Sequence, residues 1–207
     1  MYRFGSEDQV MEHRGYRSCW RWLGLALAAG LFLWWLGYFF GIDREVTVSG
    51  RDLDGDGVLE TYVLKGRILT VSEEDKLIWE SPSDWKVEDF LIADVTNDGQ
   101  EELVMTVWVR GRFGKHRPFW VSGDDGKWWN HLYLYRLVGN QMKPVWMSSG
   151  LERPVLELEA GDVDGNKALE MIVTESRYRW LSCSLRRFPL GRERSVWRWN
   201  GWGFSRL

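Results

Sequence analysis

Three short acidic segments recur along the chain, and each combines carboxylates with turn-forming residues and a final glutamate. They are DLDGDGVLE from residue 52, DVTNDGQEE from residue 94 and DVDGNKALE from residue 162. Carboxylates this close in sequence repel one another unless a cation or backbone amides compensate their charge. The chain must therefore fold so that each segment forms a tight turn, a metal site, or both.

Short runs of β-type sequence separate these segments. In ELVMTVWV, the residues at 103, 105, 107 and 109 alternate with those at 104, 106 and 108, and HLYLYRLV alternates in the same way. No long stretch with a helical period follows residue 43, so the pattern predicts an all-β domain over residues 43–207. An EF-hand is excluded because position 12 of the segments, where it needs a glutamate, holds Val63, Met105 and Val173.

Two of the segments, with their flanking runs, resemble a known repeat. FLIADVTNDGQEELVMTVW and LEAGDVDGNKALEMIV are similar to FG-GAP (VCBS-type) repeats, the blades of integrin-α-like β-propellers, whose D-x-D-x-D-G-x-x-D/E loops bind calcium. The resemblance covers most of residues 46–207 and implies about three blades, fewer than the roughly four to eight that close a propeller. It therefore implies calcium-stabilised blades in an incomplete propeller.

A loop of this kind can offer side chains at positions 1, 3, 5 and 9, and a carbonyl at position 7, to one calcium ion. The first segment holds the most carboxylates, whereas side-chain capping of a tight turn explains the second and third segments equally well. Lys167 stands where the other segments have glycine, so the third turn can differ. The predicted ligands are Asp52, Asp54, Asp56, Val58 and Glu60; Asp94, Thr96, Asp98 and Glu102; and Asp162, Asp164, Asn166 and Glu170.

The run at residues 22–42 contains 21 residues and no charge. At about 1.5 Å per residue it is long enough to cross a bilayer core as a helix. A buried core helix and a cleaved signal peptide are the alternatives, but the run is longer than the usual signal-peptide core. With more arginine before the run than after it, residues 1–21 are predicted to be a cytoplasmic tail and residues 43–207 to lie outside the cytoplasm.

Residues 110–130, which we name the excursion, interleave cations with aromatic side chains. This pattern suits a sugar-containing or anionic polymer, through stacking and cation–π contacts. The alternative is that these side chains pack on one another between sheets. The candidate ligand-binding residues are Arg112, Arg117, Trp120, Trp128 and Trp129.

Composition and motifs exclude several classes of function. The net charge of −3 and the predicted location argue against nucleic acid as a partner, and the chain lacks G-x-S-x-G, H-E-x-x-H and P-loop patterns. We therefore predict a membrane-anchored binding or scaffold protein rather than an enzyme, with a protein partner or a second copy of the chain. The alternative is binding or processing of a polysaccharide or an anionic cell-wall polymer.

Overall fold

The computed structural model describes residues 45–113, 119–123, 126–178 and 191–207. Every regular secondary-structure element in these residues is a β-strand, which confirms the all-β prediction. Within the same residues, no helix has the length and apolar character needed to span a bilayer. The predicted tail (1–21) and the predicted transmembrane helix (22–42) lie outside the described residues.

The described strands form three antiparallel sheets of four, and each sheet keeps the chain order. The first sheet contains β1 (Val46–Arg51), β2 (Glu60–Lys65), β3 (Ile68–Glu73) and β4 (Lys76–Glu80). The second contains β5 (Lys86–Ala93), β6 (Glu102–Arg110), β7 (Trp128–Leu137) and β8 (Met142–Met147). The third contains β9 (Val155–Gly161), β10 (Glu170–Glu175), β11 (Glu193–Trp199) and β12 (Phe204–Arg206).

Two-residue turns with positive φ set the register of the hairpins. Gly66 (φ 56°) and Arg67 (φ 68°) join β2 to β3, and Gly139 (φ 53°) and Asn140 (φ 57°) lie between β7 and β8. Turns with both central residues in this region match the right-handed twist of the flanking strands. Each hairpin is therefore held in a register that keeps alternate side chains on one face.

One core lies between the first and second sheets. Tyr62, Leu69 and Val71 of the first sheet pack against Leu103 and Met105 of the second, and all five are fully buried. This is the face of β6 on which the sequence placed residues 103, 105, 107 and 109. The predicted alternation is confirmed.

A second core lies between the second and third sheets. Val104, Leu132 and Leu134 of the second sheet pack with Met171 and Val173 of the third. Since β6 contributes residues to both cores, the second sheet is buried on both faces and forms the middle layer.

The outward faces of the two end sheets are mainly polar. On the third sheet, Arg192 pairs with Glu157 (3.0 Å) and Arg194 pairs with Glu159 (2.6 Å). On the first sheet the register places threonine and serine on the face opposite the core. These are Thr47, Ser49, Thr61, Thr70 and Ser72. Such faces are typical of antiparallel sheets that meet solvent on one side.

Candidate metal centre

The three acidic segments occupy the same place in their sheets. The first loop (residues 52–60) leads from β1 into β2, the second (residues 94–102) from β5 into β6, and the third (residues 162–170) from β9 into β10. Each ends on the glutamate that begins the second strand of its sheet. The loops can therefore be compared position by position.

In every loop the first aspartate organises the turn by accepting hydrogen bonds from backbone N–H groups of the fourth, fifth or sixth residue. Such bonds stabilise a tight turn without any metal ion. They join Asp52 to Gly55 (2.7 Å) and Gly57 (3.1 Å), Asp94 to Asp98 (3.1 Å) and Gly99 (2.8 Å), and Asp162 to Gly165 (2.7 Å) and Lys167 (2.8 Å).

The fifth side chain of each loop caps the backbone two residues further on. Asp56 accepts from the N–H of Val58 (2.8 Å), and Asn166 accepts from the N–H of Ala168 (2.6 Å). The corresponding bond of the second loop joins Asp98 to the N–H of Gln100 (3.1 Å). The capping predicted for the second and third loops is thus observed in all three.

The backbone of the third loop matches the others despite its lysine. The sixth residue has φ +89° at Gly57, +91° at Gly99 and +69° at Lys167. Lys167 therefore adopts the left-handed conformation that glycine tolerates and other residues adopt at a cost. The sequence allows Lys167 to make the third turn differ, but the φ angle at this position remains in the same region as in the other two loops.

The glutamate at the end of each loop is fully buried. Glu60, Glu102 and Glu170 each show no exposed surface. One oxygen of each accepts the N–H of the second loop residue, at 3.0–3.1 Å. A buried carboxylate needs hydrogen-bond partners for both of its oxygens. The loops differ in what the second oxygen of this glutamate binds.

Three acidic side chains per loop converge, with one carboxylate oxygen of each lying within 4.8 Å of the others. The groups are Asp52, Asp54 and Glu60; Asp94, Asp98 and Glu102; and Asp162, Asp164 and Glu170. Of the other predicted ligands, Asp56 and Asn166 serve as caps. Thr96 donates its hydroxyl to Glu102 (2.8 Å).

In the second loop an arginine fills the space between the carboxylates. Arg136 of β7 donates through Nε to Glu102 (3.0 Å) and through Nη2 to Asp98 (2.6 Å) and to the Thr96 hydroxyl (3.1 Å). Its Nη2 also contacts Glu102 directly. Hydrogen bonding from Arg136 lowers the pKa of Asp98, so this carboxyl group is held in its charged form.

The third loop repeats this arrangement with an arginine from a different strand. Arg198 of β11 donates through Nε to Glu170 (3.0 Å) and through Nη2 to Asp164 (2.5 Å). Both oxygens of Glu170 are therefore used, one by Val163 and the other by Arg198. The guanidinium provides the positive charge that a metal ion would otherwise supply.

The first loop has a carboxylate at the equivalent place. The register pairs Glu60 of β2 with Glu73 of β3. Oε1 of Glu60 and Oε1 of Glu73 are both buried and have no hydrogen-bond partner among the described residues. Burial raises the pKa of Glu60, and the negative charges of Asp54 and Asp52 raise it further. The hydrogen bond from the Leu53 N–H lowers this pKa, but the net direction is upward.

Asparagine side chains connect the loops across the sheets. Asn140, from the β7–β8 turn, donates its side-chain amide to Glu73 (3.2 Å), and its backbone N–H lies 3.4 Å from Asp54. Asn97 of the second loop donates to the carbonyl of Leu169 (3.1 Å) and accepts its N–H (2.6 Å). The three loops therefore meet neighbouring sheets at one end of the stack.

The structure divides the residues proposed for polymer binding. Trp128 has the Lys86 ammonium 4.2 Å from its ring centroid, and Trp129 has the Arg112 guanidinium at 5.3 Å. Trp129 also packs edge-on against Tyr178, with centroids 5.3 Å apart. These contacts match the packing alternative.

Trp120 is 72% exposed and Phe119, which is 96% exposed, packs against it with centroids 4.8 Å apart. These two rings form an aromatic pair on the surface of the excursion. Arg117 lies outside the described residues.

Four residues of the candidate metal centre were not identified as site residues in the sequence analysis, namely Glu73, Arg136, Asn140 and Arg198. Each lies on a strand or turn that follows the second strand of its sheet. The signal that could have found them is strand pairing. The residue opposite the glutamate of each loop is Glu73 in the first sheet, and continuing the register by one residue gives Arg136 and Arg198 in the others.

No protein-family model matches this chain, and no curated protein is significantly similar to it in sequence.

Proposed function

We propose that this chain is a membrane-anchored binding or scaffold protein, built on FG-GAP-like sheets and stabilised by calcium at its first loop. The observation that carries the calcium site is the pair of buried oxygens without partners on Glu60 and Glu73. Leaving such groups unsatisfied costs on the order of 1–3 kcal/mol each, and more when they are charged. A bound cation removes that cost.

The first loop has the donors that calcium prefers. Asp52, Asp54 and Glu60 already converge, and the side chain of Asp56 and the carbonyl of Val58 belong to the same turn. Calcium takes about six to eight oxygen ligands in flexible geometry, including carboxylates, carbonyls and water. When bound, the ion would act structurally, by compensating charge between the loop and β3.

The sheet arrangement supports the FG-GAP-like proposal. Each sheet is a four-stranded antiparallel meander, and the sheets stack face to face in chain order, as propeller blades do. The acidic loop joins the first two strands of each sheet. The outward faces of the first and third sheets are polar, as expected of sheet faces that meet solvent.

Calcium binding is tested by the thermal unfolding of the full-length chain in mild detergent, with calcium or with chelator. A site of the weak extracellular class has a Kd of roughly 10⁻⁴–10⁻³ M. Calcium at about 10 mM would then raise the free energy of unfolding by about 1.4–2.7 kcal/mol. An identical melting temperature in calcium and chelator would exclude the site, and magnesium at the same concentration controls for ionic strength.

The exposed aromatic pair, Phe119 and Trp120, supports a binding role. Tryptophan is enriched among the residues that contribute most to binding at protein interfaces, and aromatic rings offer a large apolar area to a partner. With the proposed anchor at residues 22–42, this surface would face other proteins outside the cytoplasm. The expected partner is a protein, either a different one or a second copy of this chain.

Crosslinking of the full-length protein in its native membrane tests this role. Replacing Phe119 and Trp120 by alanine should abolish the crosslinked product, whereas Trp202→Ala, at a tryptophan 79% exposed on another turn, should leave it intact. The mass of the product separates a second copy from another protein. A product that survives the double substitution would exclude this surface, and a loss of polysaccharide retention instead would favour the polymer-binding alternative.

A further inference from the structure

We propose that Arg136 and Arg198 are built-in cations that replace the metal ion in the second and third loops, so that of the three loops only the first binds a divalent cation. This inference rests on the proposed calcium site and adds to it the reason why three similar loops differ. It departs from the sequence-based expectation, which assigned ligands to all three.

One equivalent position in each sheet determines whether its loop needs a metal ion. It lies on the third strand, opposite the glutamate that ends the loop, and it holds Arg136 in the second sheet, Arg198 in the third and Glu73 in the first. A guanidinium carries several donors in a planar fork that matches carboxylate oxygens. A glutamate at this position adds negative charge and two more acceptors.

The hydrogen bonds of the buried glutamates show the consequence. Glu102 uses one oxygen for the Val95 N–H and the other for Thr96 and Arg136. In the first loop, Glu60 accepts the Leu53 N–H at one oxygen and leaves the other, buried, without a partner. Two of the three loops are therefore complete without a ligand.

Charge points the same way. The first loop and its β3 neighbour contain five carboxylates, three of which converge, and no described lysine or arginine forms an ion pair with any of the five. They are Asp52, Asp54, Asp56, Glu60 and Glu73. In the second and third loops, a metal ion would have to displace a guanidinium that already contacts two carboxylates.

The location of the first loop gives the single ion a role. Asn140 of the second sheet contacts both Asp54 and Glu73, so the ligands lie where the first sheet meets the second. The second loop is already joined to the third by Asn97 and Leu169. A cation at the first loop would therefore hold Asp54 and Glu73 in place against Asn140, and so add to the buried core that already joins the first and second sheets.

The decisive experiment exchanges the charges and counts the calcium ions bound by the full-length chain from the slope of its free energy of unfolding against the logarithm of calcium concentration. The wild type should bind one ion per chain, and Glu73→Arg should bind none. Glu73→Arg should also melt at a higher temperature than the wild type in chelator, because the new guanidinium satisfies Glu60. Glu80→Arg makes the same charge change on exposed β4 and should keep the ion.

A second variant protects the test against misfolding of the first. Arg198→Met frees Asp164 and Glu170, so it should melt at a lower temperature in chelator and bind two calcium ions. Binding of two or three ions by the wild type, or calcium uptake by Glu73→Arg, would overturn the inference. Uptake of no ion by the wild type would overturn the calcium site itself, and the chelator melting of Glu73→Arg would then still decide whether an arginine completes this loop.

Discussion

The first and second loops share one backbone course and differ in what compensates their carboxylates. Both begin with an aspartate that accepts two backbone N–H groups, and both end on a fully buried glutamate. In the second loop, Arg136 completes the hydrogen bonds, whereas in the first the same place holds another acid, Glu73. The turn is therefore a product of the aspartate caps, whereas the partner of the buried glutamate is a separate property, set by one residue on another strand.

The difference extends to how the sheets are joined. Between the second and third sheets, Asn97 makes two bonds to the backbone of Leu169, one of them 2.6 Å long. Between the first and second sheets, Asn140 reaches carboxylates at 3.2 and 3.4 Å. We expect the link between the second and third loops to be the same with or without calcium, and the link between the first loop and Asn140 to be stronger in calcium.

The largest effect should follow from removing the built-in cation of the second loop. Arg136→Met leaves Glu102 buried and charged without its partner, which costs about 3 kcal/mol. Denaturant unfolding measures the loss. Adding Glu102→Gln to this variant should recover about half of it, since the amide still accepts the Val95 N–H. A loss below about 1 kcal/mol for Arg136→Met would show that the arginine is not needed there.

The next effect concerns the link between the second and third loops. Asn97→Gly keeps the positive φ of 59° and removes both bonds to Leu169, which should cost about 1–2 kcal/mol. The loss should be the same in calcium and in chelator. Asn140→Gly, also at positive φ, is the matched variant and should cost less in chelator than Asn97→Gly. A reversed order in chelator would contradict the comparison between the two junctions.

The sequence predicts the turns better than it predicts the candidate metal centre. The alternation at residues 103–109 predicted which residues of β6 share a face, because the side-chain period of a strand is two. The position of the loops also followed from the sequence, since Asp52, Asp94 and Asp162 stand where β-type runs stop. Both are local properties of a few neighbouring residues.

The role of the arginines could not be read in this way. Arg136 is 34 residues from Glu102, Arg198 is 28 residues from Glu170, and Glu73 is much closer to its partner Glu60. The connections between the second and third strands differ in length, so the common position does not recur at a fixed spacing in the sequence. Only the paired sheets show that the three residues are equivalent.

Substitution of the glutamate that ends the first loop should have a smaller effect on the free energy of unfolding, and the sign of this effect should differ between calcium and chelator. Glu60→Gln removes a buried charge that has no cation, so in chelator it should raise the free energy of unfolding by about 1 kcal/mol. In calcium it should lower stability, because a ligand is lost. Glu102→Gln, with Arg136 still present, should destabilise the chain in both conditions. Thermal unfolding of the two variants, each with and without calcium, checks the sign, and equal behaviour of the two glutamates would contradict it.

The smallest effect concerns the turn itself, which the loops share. Lys167 has φ +69°, where a residue with a side chain is strained by about 1–2 kcal/mol relative to glycine. Glycine loses more backbone entropy on folding, by about 0.4–1 kcal/mol, so Lys167→Gly should stabilise the chain by only about 0.5 kcal/mol. Gly99→Lys at the equivalent position, where an added Cβ meets nothing within 4 Å, should cost a similar amount. Denaturant midpoints of both variants test this symmetry. A loss of stability in Lys167→Gly would mean that the lysine side chain contributes to the third loop beyond its backbone.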